Sequence, residues 1–264
     1  MWTSVAETVH ADLLSAFQNI RNEPVDQNSE EIRTAFVARF GKVVFRRNPS
    51  HNLAFIKENS VSESDVLQLR RMFYTNLPVE YTEHVKIAAV PELGVHFEGE
   101  KELYHVKMAD AKRPDSEISC KCRVHKDEQK LEVYKIELNP VRYLVVDTSC
   151  LTNNVDLRLA LCTNKFLIAL QDEEMQEIRS LISSAIFDPN VKGGLRWSLG
   201  KGNSGGQYSV VGVWHTKEDI FRNPFMKLRV READRYDFRT SKGEVTREVV
   251  LQLTQIKNLL EKGS

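Results

Sequence analysis

The sequence of 264 residues has no net charge, few cysteines and no long apolar run. Lysine plus arginine equals aspartate plus glutamate at 37 each, so no global field attracts nucleic acid, a membrane or an acidic substrate. The longest apolar stretches are far shorter than the ~20 residues that span a bilayer, so no membrane partner is expected. The amino terminus lacks the basic start and apolar run of a signal peptide, which favours a cytoplasmic or nuclear protein.

Cysteine is too sparse for a disulfide framework, so the four residues are expected to be free thiols: Cys120, Cys122, Cys150 and Cys162. Cys120 and Cys122 lie two positions apart in a predicted strand, so both should face the same side and act as small core residues. No spacing of Cys or His that is typical of a metal site occurs nearby, and no cofactor motif is recognised. We therefore expect neither a metal nor a cofactor.

The apolar pattern predicts helices at both ends of the chain and one in the middle. A capping box of Ser4 with Glu7 begins a helix that ends before Pro24. Residues 29–46 fit either a helix or a strand, and a helix that leads into a short strand is the preferred interpretation. Further helices are predicted at 62–77, at 172–187 and from a second capping box, Ser241 with Glu244, towards the carboxyl terminus.

Alternation of apolar and polar residues predicts strands in the rest of the chain. The predicted strands are 94–98, 102–108, 117–124, 131–138, 141–148, 155–161, 207–215, 226–231 and 235–240. Short polar connections join them, so the sheet should be antiparallel. These elements predict an α+β protein with a mainly antiparallel sheet of about eight or nine strands. We expect one domain over 1–264, with a helix-rich part at 1–93 and a sheet-rich part at 94–264.

The segment 192–206 carries the strongest local signal for binding. Its repeated glycines free backbone N–H groups to face an anion, and Lys192, Arg196 and Lys201 add positive charge. Trp197 adds a surface on which a nucleobase can stack. The segment is not a Walker A loop, because no Ser or Thr follows its Gly-Lys pair and a strand comes next. The alternative interpretation is a surface connection without a binding role.

Charged residues also occupy one face of several predicted strands, as at Lys227, Arg229 and Arg231. On an open sheet this pattern marks the solvated face, whereas on a closed sheet it would line a charged tunnel, as in tunnel-type triphosphatases. The signature of those enzymes is a strand of alternating glutamates that ends in lysine. Glu98 and Glu100 begin such an alternation, but position 102 is glutamate.

Five segments that span most of the chain carry a resemblance to a known family: 70–78, 119–124, 191–197, 211–216 and 233–241. They resemble a plant family known only as a domain of unknown function. The resemblance implies no chemistry, since the family has no established activity. Longer members carry a basic, proline-containing arm before the first helix, so this chain is expected to be a shortened form.

No catalytic constellation is recognised, because no nucleophile accompanies His215 and no hydrolase signature occurs. The sequence therefore predicts first a non-enzymatic interaction module with an unknown protein partner. The alternative is an RNA- or phosphate-binding module, and a tunnel-type phosphohydrolase is a third hypothesis. The candidate residues for binding an anion or nucleic acid are Lys192, Arg196, Trp197, Lys201, Arg235 and Arg239.

Overall fold

The computed structural model describes residues 2–22, 30–46, 70–125, 130–138, 141–148, 155–167, 172–198 and 206–263. Its helices are α1 (Trp2–Asn22), α2 (Val79–His84, a π-helical turn Val85–Ala89, and Val90–Glu92), α3 (Asp172–Ser183) and α4 (Ile256–Gly263). Its strands are β1 (Glu30–Arg46), β2 (Arg70–Tyr74), β3 (His96–Asp110), β4 (Arg113–His125), β5 (Lys130–Leu138), β6 (Val141–Thr148), β7 (Asp156–Leu167), β8 (Ile186–Phe187), β9 (Leu195–Arg196), β10 (Tyr208–Arg222), β11 (Met226–Asp237) and β12 (Lys242–Leu253). None of the described helices combines the length and apolar character that crossing a bilayer requires.

In the described part of the chain, ten strands form one antiparallel sheet, and eight of them close into a ring. The order around the ring is β1, β12, β11, β10, β3, β4, β5 and β7, and β7 then pairs with β1. The closing pair is long, since residues 30–41 of β1 pair with 156–167 of β7. β6 extends the ring along β7, and β2 pairs with the end of β1. The predicted fold class, α+β with a mainly antiparallel sheet, is confirmed.

The apolar face of the ring lies outside, where the helices cover it. Phe17 of α1 packs with Leu161 of β7, and Val85 of α2 packs with Leu228 of β11. Ile178 of α3 lies in a third cluster on the outer face of β3, β4 and β5. Because each strand alternates, the polar residues are left to face the interior of the ring. We call this interior the lumen.

Two of the predicted helices are strands. The helix preferred within 29–46 is wrong, because residues 30–46 form β1. The helix predicted from Ser241 is also wrong, because residues 242–253 form β12 and only Ile256–Gly263 is helical. In β12 the apolar residues Val245, Val249 and Leu253 recur every four positions. A spacing of four fits a period of two as well as one of 3.6, so it cannot separate the two structures. Hydrogen bonding to strands on both sides decides in favour of the sheet.

The predicted helix at 62–77 is wrong at its end, because 70–74 form β2; the part up to residue 69 lies outside the described residues. The helix in this region is α2, which the sequence reasoning missed although Pro78 precedes it and Tyr81, Val85 and Ala89 repeat every four residues. The first helix and the middle helix are confirmed, except that α3 ends at Ser183. The assignment of 1–264 to one domain stays a prediction.

Candidate functional site

Long basic side chains line the lumen because strand alternation places them there. In β11, Leu228 and Val230 pack in the outer cluster beneath α2, so Lys227, Arg229 and Arg231 face inward. The charged strand face seen in the sequence is therefore the inner face of a closed sheet. Its alternative interpretation, the solvated face of an open sheet, does not apply here.

A buried carboxylate of β12 holds two of these arginines. Arg231 Nε donates to Glu248 Oε2 at 2.8 Å, and Arg235 also donates to Glu248, whose side chain is only 2% exposed. Thr246 and Thr75 add hydroxyl hydrogen bonds to Glu248 Oε1 at 3.1 and 3.4 Å. Burial alone would raise the pKa of Glu248, but Arg231 and Arg235 lower it to about 2. Glu248 is therefore a fixed anion that is fully committed to its partners.

Other lumen carboxylates are paired in the same way. Glu137 of β5 lies 2.8 Å from both Lys121 and Lys135, which hold its pKa below the ordinary value although burial opposes this. Two further pairs join Lys107 to Glu117 at 2.8 Å and Arg158 to Asp147 at 2.6 Å. Three of these four pairs join neighbouring strands, whereas Lys135 and Glu137 lie on the same strand.

Among the lumen cations that make no ion pair within the described part of the chain, three lie on the two strands that flank β12: Arg39, Lys227 and Arg229. Arg39 and Arg229 both lie next to Val250, on the strands that flank β12, so their backbones are about 10 Å apart. Lys227 lies two residues before Arg229. Burial and Arg231 lower the pKa of Arg39 to about 10, and burial and Arg229 lower the pKa of Lys227. These three residues, which we call the free-cation set, carry positive charge that no ion pair among the described residues neutralises.

His105 and Trp214 lie further along the same lumen face. Burial and the nearby cation Lys121 lower the pKa of His105 to about 3, so it is neutral at pH 7. The Trp214 ring is flanked by Lys107 Nζ at 4.3 Å and by the Arg235 guanidinium carbon at 4.9 Å. The ring therefore makes cation–π contacts with two lumen cations.

A cavity of about 790 Å³ lies beside α2 and is lined mostly by residues of α2 and of the outer face of β3, β10 and β11. Its lining includes Glu218 and Arg231 of the lumen together with Lys86 and Arg247, which lie on the outer face. Arg231 is two residues from Arg229, so the cavity lies beside the free-cation set without including it.

The candidate residues of the segment 192–206 lie outside the ring. Lys192 is exposed, and Arg196 is exposed and pairs with Asp188 at 2.9 Å. Trp197 is half-buried: its Nε1 donates to the Leu181 carbonyl at 2.8 Å, and it packs against the α3 cluster. This placement differs from the exposed stacking surface that the sequence suggested. Lys201 lies outside the described residues.

Two glycines of this segment allow its backbone to pass close to the outer face of the sheet. Gly193 and Gly194 have φ of 76° and 69°, the left-handed region that favours glycine. A Cβ on Gly194 would meet Tyr104 Oη at 3.3 Å and His215 Nδ1 at 3.6 Å. The His215 ring stacks on Tyr104, and its Nε2 lies 2.7 Å from Glu102 Oε1. These contacts favour the structural interpretation of His215 over a catalytic one.

The two supporting candidates, Arg235 and Arg239, differ in exposure and in their carboxylate partners. Arg235 is in the lumen and is bound to Glu248, whereas Arg239 is 55% exposed and lies 3.3 Å from Glu117. Within the described residues, neither shares an ion-pair partner with the exposed Lys192 or Arg196. The predicted residues therefore do not form one cluster, and their binding role stays a prediction.

Sequence reasoning missed Arg39, His105 and Lys121 as parts of one surface. Arg39 was missed because a helix was preferred for 29–46, and in a helix Ala35, Val37 and Arg39 would not share one face as they do along β1. His105 and Lys121 lie on predicted strands and are directly paired across β3 and β4, but no short-range signal brings these strands opposite β11. Closure of the sheet brings these strands opposite β11.

The cysteines and the metal ligands can be assessed for the described residues. Cys120 and Cys122 are free and buried in the outer cluster beneath α3, and Cys162 is free and partly buried, while Cys150 lies outside the described residues. Over the described ranges, no group of three or more His, Cys, Asp or Glu side chains is arranged to hold a metal ion.

Comparison with known families gives a match over the whole chain, residues 1–264, to a family described as Domain of unknown function (DUF7903). The chain belongs to the DUF7903 family. The resemblance to a domain of unknown function is thus confirmed, and the plant origin stays a prediction. A search of curated proteins gives no match.

Solved structures show where the fold recurs. The chain is similar to the S. pombe Pct1 RNA triphosphatase in complex with the Spt5 CTD, with a TM-score of 0.52 and 10% identity over 95% of this chain and 81% of that one. It is also similar to a second structure of the S. pombe Pct1 RNA triphosphatase, with a TM-score of 0.50 and 11% identity over the same shares of the two chains. At such low identity the likeness shows a shared fold.

Proposed function

We propose that this DUF7903 chain binds the phosphate groups of a polyphosphate-bearing ligand, such as a 5′-triphosphate, in its lumen. The single observation that carries the proposal is the free-cation set: Arg39, Lys227 and Arg229 face inward, are buried to different degrees and have no ion-pair partner among the described residues. Buried charges without partners are costly and are retained where they serve a ligand. A chain of phosphates supplies the missing negative charge.

The surrounding structure supports this proposal in two ways. The Arg231–Glu248–Arg235 network fixes the strands that carry the set, so the cations are held in place before a ligand arrives. Guanidinium groups bind phosphate oxygens with two parallel hydrogen bonds, which suits Arg39 and Arg229. The fold neighbour is named an RNA triphosphatase, which agrees with a lumen that accepts phosphate.

The test is titration of the protein with tripolyphosphate, comparing the wild type with the double variant Arg39→Met and Arg229→Met. Loss of charge-assisted hydrogen bonds worth about 1.5–3 kcal/mol each should weaken binding at least ~10-fold. Methionine keeps most of the length of the side chain without its charge. Because neither arginine has an ion-pair partner among the described residues, the variant should remain as stable as the wild type or become more stable.

The matched control is Arg247→Met, which removes an arginine from the outer face, where it pairs with Glu232 at 3.2 Å. Its affinity for tripolyphosphate should stay within about twofold of the wild type, since exposed pairs contribute little. Equal losses in both variants, or no loss in the double variant, would contradict the lumen as the binding site.

The anion-binding role of the segment 192–206 is the second candidate. The triple variant of Lys192, Arg196 and Lys201 to alanine tests it with the same ligand and with single-stranded RNA. If RNA affinity falls in this variant and tripolyphosphate affinity does not, the segment binds RNA independently of the lumen. Its exposed cations favour such a separate contact.

A protein partner and hydrolysis remain proposals of lower rank. One fold neighbour is a triphosphatase in complex with the Spt5 CTD, which supports a peptide partner for a chain of this fold. Affinity purification with identification of bound proteins and RNA tests the interaction-module hypothesis. Release of inorganic phosphate from a 5′-triphosphate tests the tunnel-type phosphohydrolase hypothesis.

A further inference from the structure

The carboxylates of the lumen bear on whether a bound polyphosphate requires a metal ion. Sites for phosphoryl groups commonly use Mg²⁺ held by one or two carboxylates together with phosphate oxygens. Such carboxylates must have oxygens that are free to coordinate the ion. In this lumen Glu248, Glu137, Glu117 and Asp147 each accept hydrogen bonds from arginine or lysine. Their lone pairs already face protein cations.

Glu218 of β10 differs from these four carboxylates. Its side chain is buried and faces inward, and with the described residues it makes neither an ion pair nor a side-chain hydrogen bond. It lies between Lys101 and Arg231 in the sheet register, and its charge acts on Lys227 and Arg229. A lone carboxylate beside the free-cation set is either the ligand of a metal ion or a negative charge that opposes the incoming phosphate.

The cations next to Glu218 decide between these roles. A divalent ion on Glu218 would lie among Lys227, Arg229 and Arg231, and their positive charge opposes a second cation there. Three positive side chains can neutralise the same phosphate oxygens that a metal ion would bind. The donor set therefore does not fit a metal site, in agreement with the described residues lacking a cluster of metal-ligating side chains.

We infer that the lumen binds its polyphosphate ligand without a divalent metal ion, with Arg39, Lys227 and Arg229 in the place that Mg²⁺ occupies in other phosphate sites. This inference rests on the proposed function. It assigns Glu218 the role of a charge that limits affinity, so that phosphate binds reversibly.

The experiment measures tripolyphosphate affinity by calorimetry in excess EDTA and in excess MgCl₂, for the wild type and for Glu218→Gln. The wild type should bind as tightly in EDTA as in MgCl₂ or more tightly, since Mg²⁺ in solution competes for the ligand. Glu218→Gln should bind about fivefold more tightly in EDTA, because a neighbouring negative charge is gone. The control Glu232→Gln, on the outer face of β11, should bind like the wild type.

Each other result has a definite meaning. If binding requires MgCl₂ and Glu218→Gln abolishes the effect of Mg²⁺, the inference is overturned while the proposed function stands. A weaker affinity of Glu218→Gln in EDTA also overturns the inference, provided that its circular dichroism spectrum is that of the wild type. Absence of binding in both buffers overturns the proposed function, and the inference with it.

Discussion

Replacement of Glu248 by glutamine tests the network that organises the lumen. The carboxylate accepts hydrogen bonds from Arg231 and Arg235 and is 2% exposed, so the variant leaves two buried guanidinium groups without their counter-charge. The pKa of Glu248 falls from 4.5 to about 2 in the folded protein. At ~1.36 kcal/mol per pKa unit, ionised Glu248 contributes roughly 3 kcal/mol to the free energy of unfolding at pH 7. Breaking one partner of a buried network costs about 3–5 kcal/mol, which agrees.

The lowered pKa of Glu248 determines how the stability difference should change with pH. A carboxyl group whose pKa is lowered by folding stabilises the protein above its unfolded pKa, and this contribution is lost as pH falls towards the folded pKa. The stability difference between the wild type and Glu248→Gln should therefore be about 3 kcal/mol at pH 7 and should shrink between pH 4.5 and about pH 2. Urea unfolding followed by circular dichroism measures it, and the melting temperature should fall by about 10 °C.

The control is Glu232→Gln, which makes the same substitution on the outer face, where Glu232 is 50% exposed and pairs with Arg247. Its free energy of unfolding should change by less than about 0.5 kcal/mol. A Glu248→Gln variant that is as stable as this control, or a difference that does not shrink on acidification, would refute the buried network.

Two further predictions follow from the outer face. Gly194→Ala should lower the free energy of unfolding by about 1–2 kcal/mol, because the left-handed backbone disfavours a Cβ and this Cβ would also approach Tyr104. The control is Gly94→Ala, whose φ is 58° and whose Cβ would have no neighbour within 4 Å. A thermal melt of this control measures the cost of the backbone conformation alone. Cys120 and Cys122 should resist thiol reagents at pH 8 until the protein unfolds. Burial raises the pKa values of both thiols, and that of Cys122 rises to about 12. The thiolate fraction of Cys122 at pH 8 is then ~10⁻⁴. Rapid labelling of either thiol in the folded protein would contradict this prediction.

The strands of the middle of the chain could be predicted because their signal is local. Residues 131–138 and 141–148 alternate in period two, and β5 and β6 match them to within one residue. The segments β1 and β12 could not be assigned in the same way, since an apolar spacing of four residues fits both a helix and a strand. Their structure depends on pairing with β7 and β11, and for β1 and β7 the partners are more than a hundred residues apart in sequence.

The candidate site was only partly accessible from the sequence. The alternating charges of β11 predicted one charged strand face, which the tunnel hypothesis places inside a closed sheet. Whether that face points to solvent or to a lumen depends on the pairing of β1 with β7. The glycines at 193 and 194 were a true signal of an unusual backbone. A Cβ at these positions would meet side chains of the outer face, namely Tyr104, Val213, His215 and Tyr236, so that signal reports packing there. Local composition does not distinguish a glycine that admits a ligand from one that admits a neighbouring side chain.

A crystal structure of the protein with tripolyphosphate tests the central claim most directly. The account predicts phosphate density inside the ring, between the guanidinium groups of Arg39 and Arg229 and within hydrogen-bond distance of both, at about 3 Å. Density confined to the exposed cations of Lys192 and Arg196, with an empty lumen at a ligand concentration that saturates binding in solution, would contradict it.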